Sequence, residues 1–268
     1  MTGRPAATAD VARRLVATAH ATAALPPDLA PALPPALTPV FTTLVELPLL
    51  RACGAEQMAC DARLLDEPDA LTVRRYLWSP PAVSLGKFQE LGLEARAALA
   101  AAGIDVVRRP SGGRLVLHGE GFEWSFAVVM PAGLLAFGTH AAYGLVRDAM
   151  AAALAGAGAS LDASRDEPYL RSALCFSSAL RHDLLVAGAK AVAVAQVRHG
   201  DRHLVHGSVL ERRPPAALVA AVEAATGEPW RADGLAAGGL APDGAALWRA
   251  FVIELDAALR RGLATSIL

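Results

Sequence analysis

The sequence predicts an α+β fold, and two observations carry that expectation. Strand-like runs fall in neighbouring groups joined by glycine turns, with helical runs gathered between them, unlike the strict strand–helix–strand alternation of a doubly wound sheet. Across Phe122–Met130, the residues Phe122, Trp124, Phe126 and Val128 alternate with Glu123, Ser125, Ala127 and Val129, which predicts a strand with one face on the core.

The chain has 268 residues, long enough for one large domain with an extension. Lys and Arg number 25 against 26 Asp and Glu, so no global field favours nucleic acid or a membrane surface, and neither is expected as a partner. No apolar run reaches the roughly 18 residues of a membrane span. The start carries Arg4, Arg13 and Arg14 without a continuous apolar stretch, so no secretory signal is expected and a reducing cytoplasm is the predicted compartment. Cys53, Cys60 and Cys175 have neither the number nor the spacing of a disulfide framework or a zinc site.

Residues 1–40 are rich in Ala, Pro and Thr, and "ALPPDLAPALPPALTP" at 24–39 stiffens backbone without supplying a core. A short helix near Thr8–Ala23 followed by a linker is expected there, with the catalytic domain over 41–268. A helix over Leu49–Leu65 would put Cys53 and Cys60 on one face as buried thiols. Strands are expected at Thr72–Trp78 and Val83–Leu85, a helix at Leu93–Ala102, and strands at Asp105–Arg109, Leu115–His118 and Phe122–Met130. Thr139 suits the N-cap of an Ala-rich helix that ends at Gly156 and Gly158. Asp183–Val186, Lys190–Val197 and His203–Leu210 read as an antiparallel meander with turns at 187–189 and 199–201. Helices over Pro215–Thr226 and Gly244–Arg261 complete the pattern.

Between two of these strands stands "RRPSGGRLVLHGEG", residues 108–121. Gly112 and Gly113 remove side chains where backbone N–H groups could approach a ligand oxygen, and Arg109 and Arg114 add charge on either side. A tight hairpin carrying two surface arginines is the alternative.

Five blocks, in order, resemble the lipoate–biotin protein ligase and acyltransferase superfamily: "GAEQMACDARLL" (54–65), "PAVSLGKFQ" (81–89), "VVRRPSGGRLVLH" (106–118), "HDLLVAGAKAVAVAQ" (182–196) and "LVHGSVL" (204–210). The resemblance implies the mixed sheet with flanking helices of biotin synthetases and class II aminoacyl-tRNA synthetases, with an acyl chain held near the glycine loop. It also implies substrate-binding roles for Arg109, Ser111, Gly112, Gly113, Arg114, His118, Gln196, His206 and Gly207. The two histidines are assigned to pocket shaping.

Within the superfamily, octanoyltransferases of the LipM type carry Ala-Cys-Phe with a nucleophilic Cys, and Leu174-Cys175-Phe176 is similar to it. That likeness makes Cys175 the nucleophile and Lys190 its cationic partner; by composition alone Cys175 is a core thiol and Lys190 a solvated strand-edge charge. Lys190 is expected at a strand's mouth near Gln196 or His206. Arg108, Arg109 and Arg114 are expected to face an acidic carrier or its phosphopantetheine. The implied reaction moves an octanoyl group from acyl carrier protein to a lysine of a lipoyl domain or glycine-cleavage H protein, with no metal or cofactor. Two alternatives are an ATP- and Mg²⁺-dependent lipoate ligase and an acyl-binding relative without turnover. Arg114 directly after the glycines, and residues 211–268 holding only two helices, favour the transferase. Ala193 and Val194 stand where relatives carry Gly and Ser, Ala191 replaces a branched residue, Gly119 replaces an acid, and Gln57 replaces Asn.

Overall fold

A computed structural model describes residues 43–66, 71–131, 139–163, 172–177, 179–180 and 183–265, with only the backbone at 139 and 262–265. The expected extension over 1–40 lies outside them. The order is β1 (Leu44–Glu46), β2 (Leu50–Ala52), α1 (Gly54–Asp66), β3 (Leu71–Trp78), β4 (Ala82–Leu85), α2 (Leu93–Ala101), β5 (Asp105–Arg108), β6 (Val116–His118), β7 (Glu123–Pro131), α3 (Thr139–Gly156), β8 (Leu184–Val186), β9 (Ala189–His199), β10 (Arg202–Leu210), α4 (Ala216–Thr226) and α5 (Gly244–Thr265). A further one-turn helix covers Gly234–Gly238.

Seven strands form the main sheet, in the order β1-β3-β7-β10-β9-β8 with β2 also on β3. β1 and β2 lie parallel to successive halves of β3, Leu44 opposite Leu71 and Leu50 opposite Tyr76. From β3 across β7, β10 and β9 to β8, each neighbouring pair is antiparallel. In a second, three-stranded sheet, β4 stands between parallel β5 and antiparallel β6.

This arrangement corrects the expected helix over Leu49–Leu65. Leu50–Ala52 pairs with the edge of β3, and the helix begins only at Gly54, where a Cβ would come within 2.7 Å of Val107. Cys53 therefore precedes the helix that contains Cys60, and both thiols are half-buried. The alternative of a tight hairpin at the glycine pair is not found. β5 and β6 lie on opposite sides of β4, so residues 109–115 pass over the end of the small sheet.

One face of the main sheet packs Val73, Phe126, Val128 and Val205 against Val146 and Met150 of α3 and Phe251 and Leu255 of α5. The small sheet joins α2 and α4 around Leu85, Leu99, Leu117 and Val222. The alternation along β7 was expected to leave one face open, yet Glu123–Met130 is buried throughout. Ala127 and Val129 on the second face meet Leu64 and Leu65 of α1, so both faces are covered.

The meander has the expected turns. Ala187 and Gly188 join β8 to β9 with φ of 49° and 77°, the left-handed pair that matches the twist of a two-residue hairpin. Leu185 pairs with Lys190 but Leu184 pairs with Val192, so Ala191 is an extra residue in β9. A one-residue offset changes which face a side chain occupies. Lys190 thereby escapes the face set by Val192.

At the end of β4 the backbone approaches the glycine loop so closely that a Cβ on Gly86 would sit 2.0 Å from the Gly113 carbonyl oxygen. Gly86→Ala is expected to lower stability by about 1–3 kcal/mol by displacing that loop, read as a lower urea midpoint with unchanged m-value.

Candidate active site

A cavity lies on the sheet face away from α3 and α5, bordered by Tyr76 and Trp78 of β3, Ser125 of β7, His206 of β10, Ala193 of β9 and Cys175. It crosses four neighbouring strands. Three strand spacings give it a lateral span of about 14 Å.

Cys175 starts a one-turn helix, Cys175–Ser177, attached to the cavity wall by backbone pairing. Its N–H donates to the Leu115 carbonyl at 2.8 Å, and the Leu115 N–H donates to the Ala173 carbonyl at 3.0 Å. Lys190 reaches the same turn. Its Nζ donates to the Cys175 carbonyl at 2.9 Å, lies 3.9 Å from Cys175 Sγ, and pairs with Asp183 Oδ2 at 2.7 Å. Both charged side chains are buried, at 4% and 7% exposure, so the ammonium is balanced by a carboxylate closer than the sulfur. Burial pushes the Tyr143 hydroxyl well above its ordinary pKa, and negative charge on Asp183 and Cys175 pushes it further, which places the α3 phenol beside the pair.

The glycine loop is organised by Arg109. Nη1 donates to the Ser84 carbonyl at 2.8 Å and to Ser84 Oγ at 3.1 Å, while Nη2 donates to the carbonyls of Gly112 at 3.0 Å and Arg114 at 2.7 Å. Gly113 has φ of 96°, and a Cβ there would lie 2.8 Å from Arg109 Nη2, so this glycine meets both a backbone and a packing demand. A Cβ on Gly112 would meet nothing within 4 Å. Arg109 and Arg114 are buried, so neither lies on a surface that a carrier domain could cover, while Arg109 borders the cavity that a phosphopantetheine arm would enter. Arg108 is the exposed arginine, and it donates to the carbonyls of Gly86, Lys87 and Gln89 and pairs with Glu90.

Ser111 and His206 come together, Oγ to Nε2 at 2.6 Å, and His206 Nδ1 faces Asp61 Oδ2 at 3.6 Å. Asp61 Oδ1 accepts from Arg74 Nε and Nη2 at 2.9 and 2.6 Å, and Arg74 also donates to Gln57 Oε1 at 2.8 Å. Burial would raise the Asp61 pKa, but Arg74 and His206 outweigh it and the carboxyl titrates below its ordinary value. Burial lowers the pKa of His206, against the pull of Asp61, which favours a neutral ring that can accept from Ser111.

His118 lies in a second network. Its Nδ1 faces Glu123 Oε1 at 3.1 Å, its Nε2 faces Ser84 Oγ at 2.8 Å, and its ring stacks on Trp78 at 4.1 Å. Glu123 also accepts from Ser125 and Ser208 at 2.5 and 2.7 Å. Gly119 is bare because a Cβ would enter the Phe122 ring at 2.6 Å, which accounts for the absent acid.

The expected closeness of Lys190 to Gln196 or His206 is not found. Lys190 and Gln196 share β9, six residues apart, and His206 lies opposite Ala195. Gln196 lies outside the cavity lining, whereas His206 and Gly207 border it. Asp183, Asp61, Glu123 and Tyr143 received no role from the sequence. Asp183 had a signal: it is an acid just before β8, which the two-residue turn folds back onto Lys190.

The match to the lipoyl protein ligase A/B catalytic domain model covers residues 53–228. The chain belongs to that family. It is 37% identical over 147 residues to octanoyltransferase LipM of Symbiobacterium thermophilum, covering 52% of this chain and 53% of that protein. With the LipM of Carboxydothermus hydrogenoformans it shares 34% over 169 residues, covering 59% and 61%. The chain thus matches somewhat over half the length of these relatives. Protein Ta0514 of T. acidophilum with bound lipoic acid shares the fold at a TM-score of 0.65 and 17% identity, over 82% of this chain and 86% of that one. A lipoate-protein ligase A bound with ATP aligns at 0.59 and 17% identity, over 82% and 85%. Among the described residues no helix is long and apolar enough to cross a membrane.

In this family member, Asp61→Asn leaves the Arg74 guanidinium buried without its counter-charge, and a loss of about 3–5 kcal/mol is expected in urea unfolding. Because the folded Asp61 pKa is depressed, its contribution is present above the ordinary carboxylate value and is lost as pH falls through the folded one. The variant's stability should accordingly fall less than that of the unmodified protein on acidification below about pH 4.

Proposed function

We propose that this chain is a cytoplasmic acyltransferase of the LipM type, which moves an octanoyl group from acyl carrier protein to a lysine of a lipoyl domain or glycine-cleavage H protein. The observation that carries the reading is Cys175 Sγ, 3.9 Å from Lys190 Nζ, on the wall of a cavity that crosses four strands of the main sheet.

Cys175 Sγ attacks the thioester carbonyl carbon, and the bond from that carbon to the carrier sulfur breaks. The proton leaving the Cys175 thiol ends on the carrier thiolate. Lys190, held against the Cys175 backbone, faces the carbonyl oxygen as it gains charge. In the second half the acceptor amine attacks the acyl-enzyme carbonyl, an amide bond forms, and the Cys175 sulfur departs with the electron pair and takes up the proton that the amine gives off. Thioester exchange needs no nucleotide, metal or resident cofactor. Ala193 narrows the chain's path by one methyl relative to a glycine.

Incubation with octanoyl carrier protein should give an octanoyl adduct by intact mass, absent in Cys175→Ala and discharged by a lipoyl domain with gain of octanoyl on that domain. Modification of a lipoyl domain that requires ATP and persists in Cys175→Ala would overturn the reading.

A further inference from the structure

The two cations beside Cys175 are not equivalent. Lys190 is matched at 2.7 Å by Asp183, so the pair brings little net charge to the sulfur. Arg109 is buried, and among the described residues no carboxylate lies within ion-pair distance of it. Its four Nη hydrogens meet neutral oxygens, the carbonyls of Ser84, Gly112 and Arg114 and the Ser84 hydroxyl. Hydrogen bonding is satisfied but charge is not. A buried guanidinium without an anion is costly, and its retention at a cavity wall calls for an anion supplied from within that cavity.

We propose that Arg109 is the cation that stabilises the Cys175 sulfur as an anion, while the Asp183–Lys190 pair positions the cysteine turn and the reacting carbonyl. The geometry places the two groups one residue apart on shared backbone: Arg109 Nη2 holds the Arg114 carbonyl, and the next carbonyl, Leu115, holds the Cys175 N–H. Both side chains border the same cavity. Burial lowers the Arg109 pKa, and the Cys175 anion is the largest charge acting against that effect. Among the described residues, the other titratable groups near the thiol or bordering its cavity are Tyr143 from α3, Asp183, Lys190, Tyr76, His118 and the neutral His206.

The inference rests on Cys175 being the reacting thiol. It concerns the step in which the C–S bond of the acyl-enzyme breaks and the electron pair returns to sulfur. With every Nη hydrogen already committed, Arg109 acts there through its field.

The test uses alkylation, which needs no acyl donor. In a protein with Cys53→Ser and Cys60→Ser, the rate of Cys175 modification by iodoacetamide is followed by mass against pH. In Arg109→Gln the rate near neutrality, relative to the same variant's alkaline rate, should fall about tenfold, and Arg109→Lys should recover most of it. The double variant Asp183→Asn, Lys190→Met should change that ratio less than twofold. An unchanged ratio in Arg109→Gln, or an equal fall in the double variant, would overturn the assignment. If the glutamine variant does not fold, the double variant is compared with free cysteine using anionic iodoacetate against neutral iodoacetamide. A retained preference for the anionic reagent supports Arg109, and its loss rejects it. A protein that shows these alkylation results but forms no octanoyl adduct refutes the transferase reading alone.

Discussion

The backbone pairing of Leu115 with Ala173 and Cys175 is the contact on which the site depends. Cys175 belongs to no strand and to no helix longer than one turn, so nothing in its own segment fixes it in space. Two hydrogen bonds join that segment to the stretch leaving the glycine loop, Lys190 holds the Cys175 carbonyl, and Glu228 and Gln89 hold the Ala173 N–H and carbonyl just before it. The same stretch continues into β6, which pairs with β4, and the end of β4 touches Gly113 through Gly86. Glycine loop, cysteine turn and small sheet therefore form one mechanical unit. A displacement of any member is felt as a displacement of the sulfur.

Beneath that unit, burial has been made tolerable by matching charges locally. Asp61 faces Arg74, Asp183 faces Lys190, and Glu123 is surrounded by hydroxyl donors and His118. Each of these carboxylates has a donor on at least one oxygen, while among the described residues Asp61 Oδ2 meets only His206 Nδ1 at 3.6 Å, beyond hydrogen-bond distance. Arg109 stands apart from this pattern because its partners are all neutral. It is also the arginine whose removal would leave three carbonyls without their donor, so scaffold and field reside in one side chain.

Much of this was legible in the sequence because it depends on local rules. The meander was set by Gly188 and Gly200 at left-handed turns, and α1, α4 and α5 by their helical apolar spacing. Cys175 and Lys190 were paired by resemblance, and the structure brings them within 3.9 Å. What escaped depends on long-range pairing. Leu50–Ala52 looks like the first turn of a helix until the edge of β3 is there to receive it. The burial of Arg109 and Arg114 escaped for the same reason: a charge in a loop reads as exposed unless the groups that will surround it are known. Asp61 and Glu123 are helix and strand acids that no local rule distinguishes from solvated ones.

The departures at Ala193 and Val194 illustrate how a strand's alternation limits the effect of a substitution. Both residues border the cavity, but the branched side chain of Val194 packs against the core beneath α3 and α5. Opposite Val194 stands Gly207, where a Cβ would lie 2.5 Å from Phe126 and 2.6 Å from the Ala193 carbonyl, so the neighbouring strand gives up its side chain at the crowded point. Only the Ala193 methyl, opposite Ser208, is left to take space from the cavity. One methyl trims the cavity wall without closing it, so of the two exchanges Ala193 alone reshapes the space that Cys175 borders.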